Sequence, residues 1–379
     1  MKTSYTVIIY TPQDLNHASY IQTGLFELEH LGLINCKIKV SIGEKRGRID
    51  TISGNAIIST HPQQKTSYYK LIDHKTSKQY LFATDLYDIS YYFSEYALNN
   101  CDFIFKRNYI PKDVKSLMAE YQSKIYPMGL TLGLQSVHRK YWAILSIAHF
   151  LSSLKLQLKF DRNLIKRIRK VIHSSAIHRK YVTNGRLLTK LEESPRKSDL
   201  RVFYQVRCFP QMDIAYVKEI NNQRSSLIRL LKKKLGKKYS GGLVPDSIAK
   251  TYYQDCITSL PTDPNSYLDE MKKSAICIYT KGLQDSPARK LAEYLALGKC
   301  IVAERYATEF PVPLEDGKNI IFFDTPEECA EICIKLLENP EQVASLSLNA
   351  RAYFETHVHP VQNVKRILEL MLKKPLVQS

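Results

Sequence analysis

The chain has 379 residues, about twice the size of a typical single domain, so two domains are expected. With 44% hydrophobic and 24% charged residues the composition is globular, which excludes intrinsic disorder. Fifty-five Lys and Arg against 37 Asp and Glu leave a formal charge of +18; this favours an anionic partner (nucleic acid, a phosphorylated ligand or an acidic membrane surface) or a generally basic solvated face.

The N-terminus, "MKTSYTVIIYTPQ", enters a strand directly and lacks a signal peptide. A cytoplasmic protein, at most peripheral on the inner face of the plasma membrane, is therefore expected. After "TVIIY" and the turn "TPQDLNHAS", which carries His17, the pattern "YIQTGLFELEHLGLI" predicts a helix, and "CKIKVSI" a second strand. "GEKRGRIDTISGN" reads as a turn-rich connection followed by "AIIST". "YYKLIDHKTSKQYLFATDLYD" predicts a hairpin or two strands about a turn, with Asp85 and Asp88 just past the strand end. "ISYYFSEYALNN" reads as a helix, "CDFIFKRNYIP" as a strand stopped by Pro111, and "VKSLMAEYQSKIYPMGLTLG" as a short helix, a strand and a loop. This alternation predicts an α/β domain with a largely parallel sheet.

Residues 137–195 differ in character. Tyr141 to Leu154, "YWAILSIAHFLSSL", is the longest apolar stretch; it is too short to span a bilayer and reads as a buried or interfacial helix. The segment after it is helical and basic, with Arg162, Lys166, Arg167, Arg169, Lys170, Arg179 and Lys180, and its apolar positions fall on one face. Such a segment fits a surface that approaches anionic lipid, or a solvated face. "EESPRKSD" marks a domain boundary near residue 195.

A second succession begins at "LRVFYQVRCFP". The helix "KEINNQRSSLIRLLKKKLG" ends at Gly236, with Gly241 and Gly242 as further breakers. "SYLDEMKKS" precedes the strand "AICIYT", then come "KGLQDSPARKLAEYLALGK", the strand "CIVAE", "NIIFFDTPEECAEICIKLLENP" and closing helices. The eight cysteines form no CxxC pair and several sit in apolar runs, so they read as buried thiols, with neither disulfide framework nor zinc site.

The stretch from Lys281 to Ala303 carries the chemistry. Ser286-Pro287 predicts a helix start, with Ser286 as N-cap and Pro287 in the first turn. The preceding loop leaves the end of a strand, where open α/β sheets bind ligands and helix N-termini attract phosphate. Asp285 falls in that loop and Glu293 in the helix, so the two acids can face opposite ends of one ligand.

"DSPARKLAEYLALGKCIVA" resembles the C-terminal domain of GT-B glycosyltransferases of the bacterial surface-polysaccharide type, which carry two acids separated by seven residues. The resemblance implies two Rossmann-like domains facing each other across a cleft: an acceptor-side domain, 1–195, and a nucleotide-sugar-binding domain, 196–355. A C-terminal helix, 356–379, would cross back to the first. In that family the second acid, here Glu293, meets the nucleotide ribose, and the first meets the donor sugar; Asp285 stands where retaining members commonly have Glu. Arg207 ends "RVFYQVR" where the family often places a phosphate-binding Arg, while Met212 replaces a Lys that often follows, so Arg224 or Lys290 are substitutes. Lys281, Gly282, Asp285, Ser286 and Arg289 complete the implied donor site.

The expected activity is transfer of a hexose-type sugar from a nucleotide sugar to a glycan or polyprenyl-linked acceptor. No DxD triplet is present, so a metal-bound diphosphate is not expected; basic side chains and a helix N-terminus would neutralise the leaving group instead. An inverting reaction would draw a base from Asp85, Asp88 or His17. The rivals are a sugar-nucleotide epimerase on the same scaffold, an inactive donor-binding subunit, and a nucleic-acid-binding protein. Against the last, the basic residues are not interleaved with aromatics in a recognisable module.

Overall fold

The computed structural model describes residues 3–41, 47–58, 65–157, 161–193 and 198–377. The chain forms two compact units, one comprising residues 1–190, 308–312 and 357–379, the other residues 191–307 and 313–356. Of the boundary motif "EESPRKSD", residues 194–197 lie outside the described residues.

Unit 1 contains strands β1 (Tyr5–Thr11), β2 (Asn35–Val40), β3 (Gly47–Asp50), β4 (Ala56–Ile58), β5 (Thr66–Asp73), β6 (Gln79–Asp85), β7 (Tyr92–Ser94), β8 (Phe103–Lys106) and β9 (Ile125–Pro127). Six of them make one sheet in the order β2-β1-β5-β6-β8-β9, and β4-β3-β7 make a small antiparallel one. The large sheet is mixed: β5 runs antiparallel to both neighbours, while the other five strands share one direction. The cause is local. Asp73 accepts the amides of Lys75 and Thr76 at 2.9 and 3.4 Å and closes a tight turn into β6, which resolves "YYKLIDHKTSKQYLFATDLYD" as a hairpin. The helix read over "ISYYFSEYALNN" shrinks to Glu95–Asn100, because Tyr92–Ser94 pair with β3 and Ser94 caps the helix through Ala97 N.

The helix Leu15–His30 starts five residues earlier than its apolar pattern implies, at an Asp14 cap that accepts Asn16 N at 2.9 Å. His17 therefore lies in its first turn, not in a loop. The C-terminal helix Pro360–Leu372 packs on it within unit 1. Gly24 permits the approach: a Cβ there would sit 2.4 Å from the Pro360 carbonyl. Asn363 is buried at the contact and donates to Met128 O at 3.0 Å.

Unit 2 contains β10 (Asp199–Val206), β11 (Tyr239–Leu243), β12 (Ser274–Tyr279), β13 (Cys300–Glu304) and β14 (Ile321–Phe323) in one all-parallel sheet, order β11-β10-β12-β13-β14. The helices Ala215–Leu235 and Pro326–Glu338 pack together against one face. Arg289–Ala296 and Pro340–Tyr353 pack together against the other, a doubly wound arrangement. Its core joins Val202, Tyr204, Leu227, Ile228, Leu231, Ile276, Ile278 and Val302.

The Gly241-Gly242 pair proves to be strand, not breaker. At φ +139° and +142° only glycine is comfortable, and a Cβ on Gly241 would meet the Tyr204 carbonyl at 1.9 Å. The expected fold class, α/β with two Rossmann-like domains, holds. All eight cysteines are buried and none is bridged. Among the described residues no helix is long and apolar enough to cross a membrane.

Candidate functional site

Connections from β10 and β12 leave over opposite faces of the sheet, so the two strands separate at their carboxyl ends and open a crevice there. The loop after β10 begins at Arg207, which is exposed. Asn221 holds this loop by accepting Phe209 N and donating to Phe209 O, both at 2.9 Å. Asp246 holds it from the other side through Cys208 N at 3.2 Å.

Arg224, on the helix Ala215–Leu235, links the two loops across the crevice. Its guanidinium donates to the carbonyl of Arg207 at 2.7 Å and to that of Lys281 at 3.0 Å, and lies 4.5 Å from the centre of the Phe209 ring. Arg224 is buried, and these oxygens are uncharged, so its positive charge is met only by dipoles and a π-face, and its Nε has no partner among the described residues.

The loop after β12 is closed on itself. Gly282 N donates to Ser286 O at 3.0 Å, and Gln284 and Asp285 adopt left-handed φ of 57° and 53°, a strained conformation for non-glycine residues of the kind found at functional sites. Lys281 Nζ pairs with Asp285 Oδ1 at 2.9 Å and lies 3.7 Å from Glu304 Oε1. Burial would lower the Lys281 ammonium, but Asp285 and Glu304 outweigh it and hold the pKa above the usual lysine value. Glu304, buried at the end of β13, also accepts Lys281 N at 3.1 Å and Gln223 Nε2 at 3.2 Å.

The helix start differs from expectation. Ser286 is buried but does not cap: the helix spans Arg289–Ala296, its N-cap is Ala288, and Tyr279 Oη takes the Ala288 amide at 2.9 Å. Pro287 precedes the cap, which shifts the first helical turn to Arg289, Lys290 and Leu291. Glu293 then stands just over one turn in, half-buried. Lys290, one turn before it, donates to Gln205 O at the end of β10 and packs over the Tyr267 ring at 5.0 Å. Burial, with smaller contributions from Arg224 and Arg207, pushes the Lys290 ammonium down to about 8, against the opposing pull of Glu293. Arg207, Arg224, Lys281 and Lys290 thus gather with Asp285, Glu293 and Glu304, one positive charge in excess. Sequence reasoning missed Gln223 and Glu304. An acid closing the apolar strand "CIVAE" was the available signal for Glu304.

In unit 1 the three candidate bases separate. Asp85 is wholly buried at the end of β6, with Lys106 Nζ 3.6 Å from its Oδ1. Burial lowers the Lys106 pKa, and Asp85 opposes that shift; Lys106 also donates to Tyr92 O at 2.7 Å. Asp88 is partly exposed. Burial would raise its carboxyl, but Arg107 and Lys65, both bonded to it, bring it down to about 2. His17 is half-buried with its Nε2 3.8 Å from Asp14 Oδ2.

A search of curated proteins returned no match. Among solved structures the chain is similar to the UDP-GlcNAc 2-epimerase from Neisseria meningitidis bound to UDP-GlcNAc, at 17% identity over 74% of this chain and 64% of that one, TM-score 0.37. It is similar to a glycosyltransferase from Rickettsia africae at 11% identity over 74% and 65%, TM-score 0.39. HepE from Anabaena in complex with UDP aligns at 12% identity over 72% and 92%, TM-score 0.32. The chain spans just under two thirds of the first two structures. Residues 227–369 match a family model described as glycosyl transferase-like, a stretch that starts just after Arg224 and includes Lys281, Asp285, Lys290, Glu293 and Glu304.

Proposed function

We propose that the protein is a glycosyltransferase that moves a hexose-type sugar from a nucleotide sugar to a glycan or lipid-linked glycan in surface-polysaccharide synthesis. The observation that carries this reading is the Arg224 guanidinium bridging the loops after β10 and β12, with Lys290 and Glu293 beside it, at the crevice where a doubly wound sheet binds ligands. The family match over residues 227–369 supports the reaction class.

In this reading Arg207, Arg224 and Lys290, with the amides at the start of the Arg289–Ala296 helix and Arg289 itself, hold the diphosphate. Their charges stabilise the diphosphate as its bond to the sugar breaks, so no divalent cation is required and transfer persists in chelator. Glu293 accepts from the ribose hydroxyls. Asp285, on the loop Lys281–Ser286 that Gly282 lets close, meets the sugar. On the acceptor side, Asp85 is spent on Lys106 and Asp88 is too weak a base at about 2. For an inverting reaction the base is therefore His17, whose Nε2 lies 3.8 Å from Asp14 Oδ2.

The test is thermal-shift screening against UDP, GDP, dTDP, CMP and their sugars, with Glu293→Ala as control. A ligand that binds only the folded state raises Tm by mass action. One nucleotide raising Tm in the parent chain and not in the control supports the donor site. No shift with any of them, together with salt-sensitive polynucleotide binding, overturns it. Product analysis with and without acceptor then separates transfer from epimerisation, because an epimerase consumes its donor alone.

A further inference from the structure

The helices Trp142–Gln157 and Leu164–Asn184 pack on each other in unit 1. Their seam is closed by Leu145, Ala148 and Val171 and by two buried histidines. His149 Nε2 lies 3.0 Å from Ser174 Oγ, His178 Nε2 lies 3.1 Å from Ser146 Oγ, and the two rings stack at 4.3 Å. The seam thus fixes which faces turn outward.

The outward face of the first helix is apolar. Ile144, Ile147, Phe150 and Leu151 recur at helical spacing and are all exposed, Ile147 at 59%. Trp142, the chain's only tryptophan, is 56% exposed at its start. On the second helix Ile165, Ile168 and Ile172 form an exposed stripe beside a band of exposed Arg162, Lys166, Arg169, Lys170, Arg179 and Lys180. Asp161 is the only acid between residues 161 and 184, and Arg167 takes it at 2.7 Å. Exposed large apolar side chains recurring at helical spacing on both of two packed helices, rather than scattered singly, mark an interaction site.

We infer that this helix pair is a membrane-docking element that seats in the headgroup region of an anionic bilayer, with Trp142, Ile147 and Phe150 among the acyl chains and the basic band on the lipid phosphates. Charge selects the occupant: a second copy on the same face would oppose two unneutralised basic bands, whereas anionic lipid complements them. The inference deepens the acceptor side of the proposed function, since lipid-linked acceptors lie at such a surface, but its test does not involve sugar transfer.

The lone tryptophan supplies the readout. The full chain is titrated with phosphatidylcholine vesicles containing about a third phosphatidylglycerol and with phosphatidylcholine alone, following Trp142 emission and sedimentation. The expected result is a blue shift with the anionic vesicles, quenched by brominated acyl chains. Ile147→Ser with Phe150→Ser should lower vesicle partitioning about tenfold or more, because two large apolar groups leave the lipid, while the nucleotide-induced Tm shift is unchanged. Absence of any blue shift overturns the inference. So does binding that survives the Ile147→Ser, Phe150→Ser change but vanishes in high salt, which is surface attraction without insertion. A blue shift that grows with protein concentration in the absence of vesicles, with a dimer mass, assigns the face to a second copy and equally overturns it.

Discussion

Both units end parallel strands in charged side chains, and they dispose of that charge in opposite ways. At the end of β6 in unit 1, Asp85 and Lys106 are wholly buried and face each other 3.6 Å apart, so the charge is settled inside the protein. At the ends of β10 and β12 in unit 2, Arg224 is held by two carbonyls and a ring, and Lys290 is buried beside Glu293, Arg224 and Arg207, burial depressing its pKa to about 8. A buried ion pair consumes its own field. A set of cations held by dipoles retains it for an incoming anion. Position at a strand's carboxyl end is thus insufficient to identify a binding site; what counts is whether the charge there is already answered.

Four changes would break or sharpen this contrast. The largest effect is expected for Lys106→Met, which leaves Asp85 buried without its cation and should cost about 3–5 kcal/mol in urea unfolding. A loss below about 1 kcal/mol would mean the pair is not the internal settlement described. Arg224→Met removes the tie between the two loops of unit 2 and should cost about 1–3 kcal/mol while abolishing the Tm shift from nucleoside diphosphates. Retention of that shift would move the anion site away from Arg224.

Lys290 gives a pH signature. Its pKa in the folded chain, about 8, lies below the ordinary lysine value. The unfolded chain therefore binds the proton between those two pH values, and without ligand this group's contribution to stability rises with pH across that window. Diphosphate binding has the opposite sense, because it needs the protonated amine: affinity should fall about tenfold, or about 1.4 kcal/mol, for each pH unit above 8. Titration calorimetry of Lys290→Met should show that slope flattened; an unchanged slope would exclude Lys290 as its source. Smallest in stability is Glu293→Ala, about 0.5 kcal/mol or less by calorimetric melting, because Glu293 is half-buried on a helix surface. Its effect should appear in nucleotide affinity instead, so a large loss of stability would recast Glu293 as a structural residue.

Much of the fold was legible from local pattern. Apolar strands alternating with amphipathic helices announced two α/β halves, and the cysteines in apolar runs announced buried thiols. The apolar run "AICIYT" and the amphipathic "RKLAEYLA" marked the strand and the helix now seen on either side of the loop after β12. Gly241 and Gly242 misled because a glycine pair signals a break, and only the Tyr204 carbonyl pressing on Gly241 shows why a strand requires it there. Ser286 carried the usual mark of a cap, yet Tyr279 reaches the Ala288 amide and the helix starts later.

By itself the sequence determined the kinds and order of the elements, because hydrophobic period and turn chemistry act between near neighbours. Tertiary structure alone decided that β5 inserts between β1 and β6, and that Asp85 meets Lys106 across 21 residues while Arg224 meets Arg207 and Lys281 across 17 and 57. It also decided that the apolar stretch from Trp142 to Leu151 shows one face to solvent. The physical reason is that burial and charge compensation depend on distances across the fold, and these exist only once the strands have taken their order in the sheet.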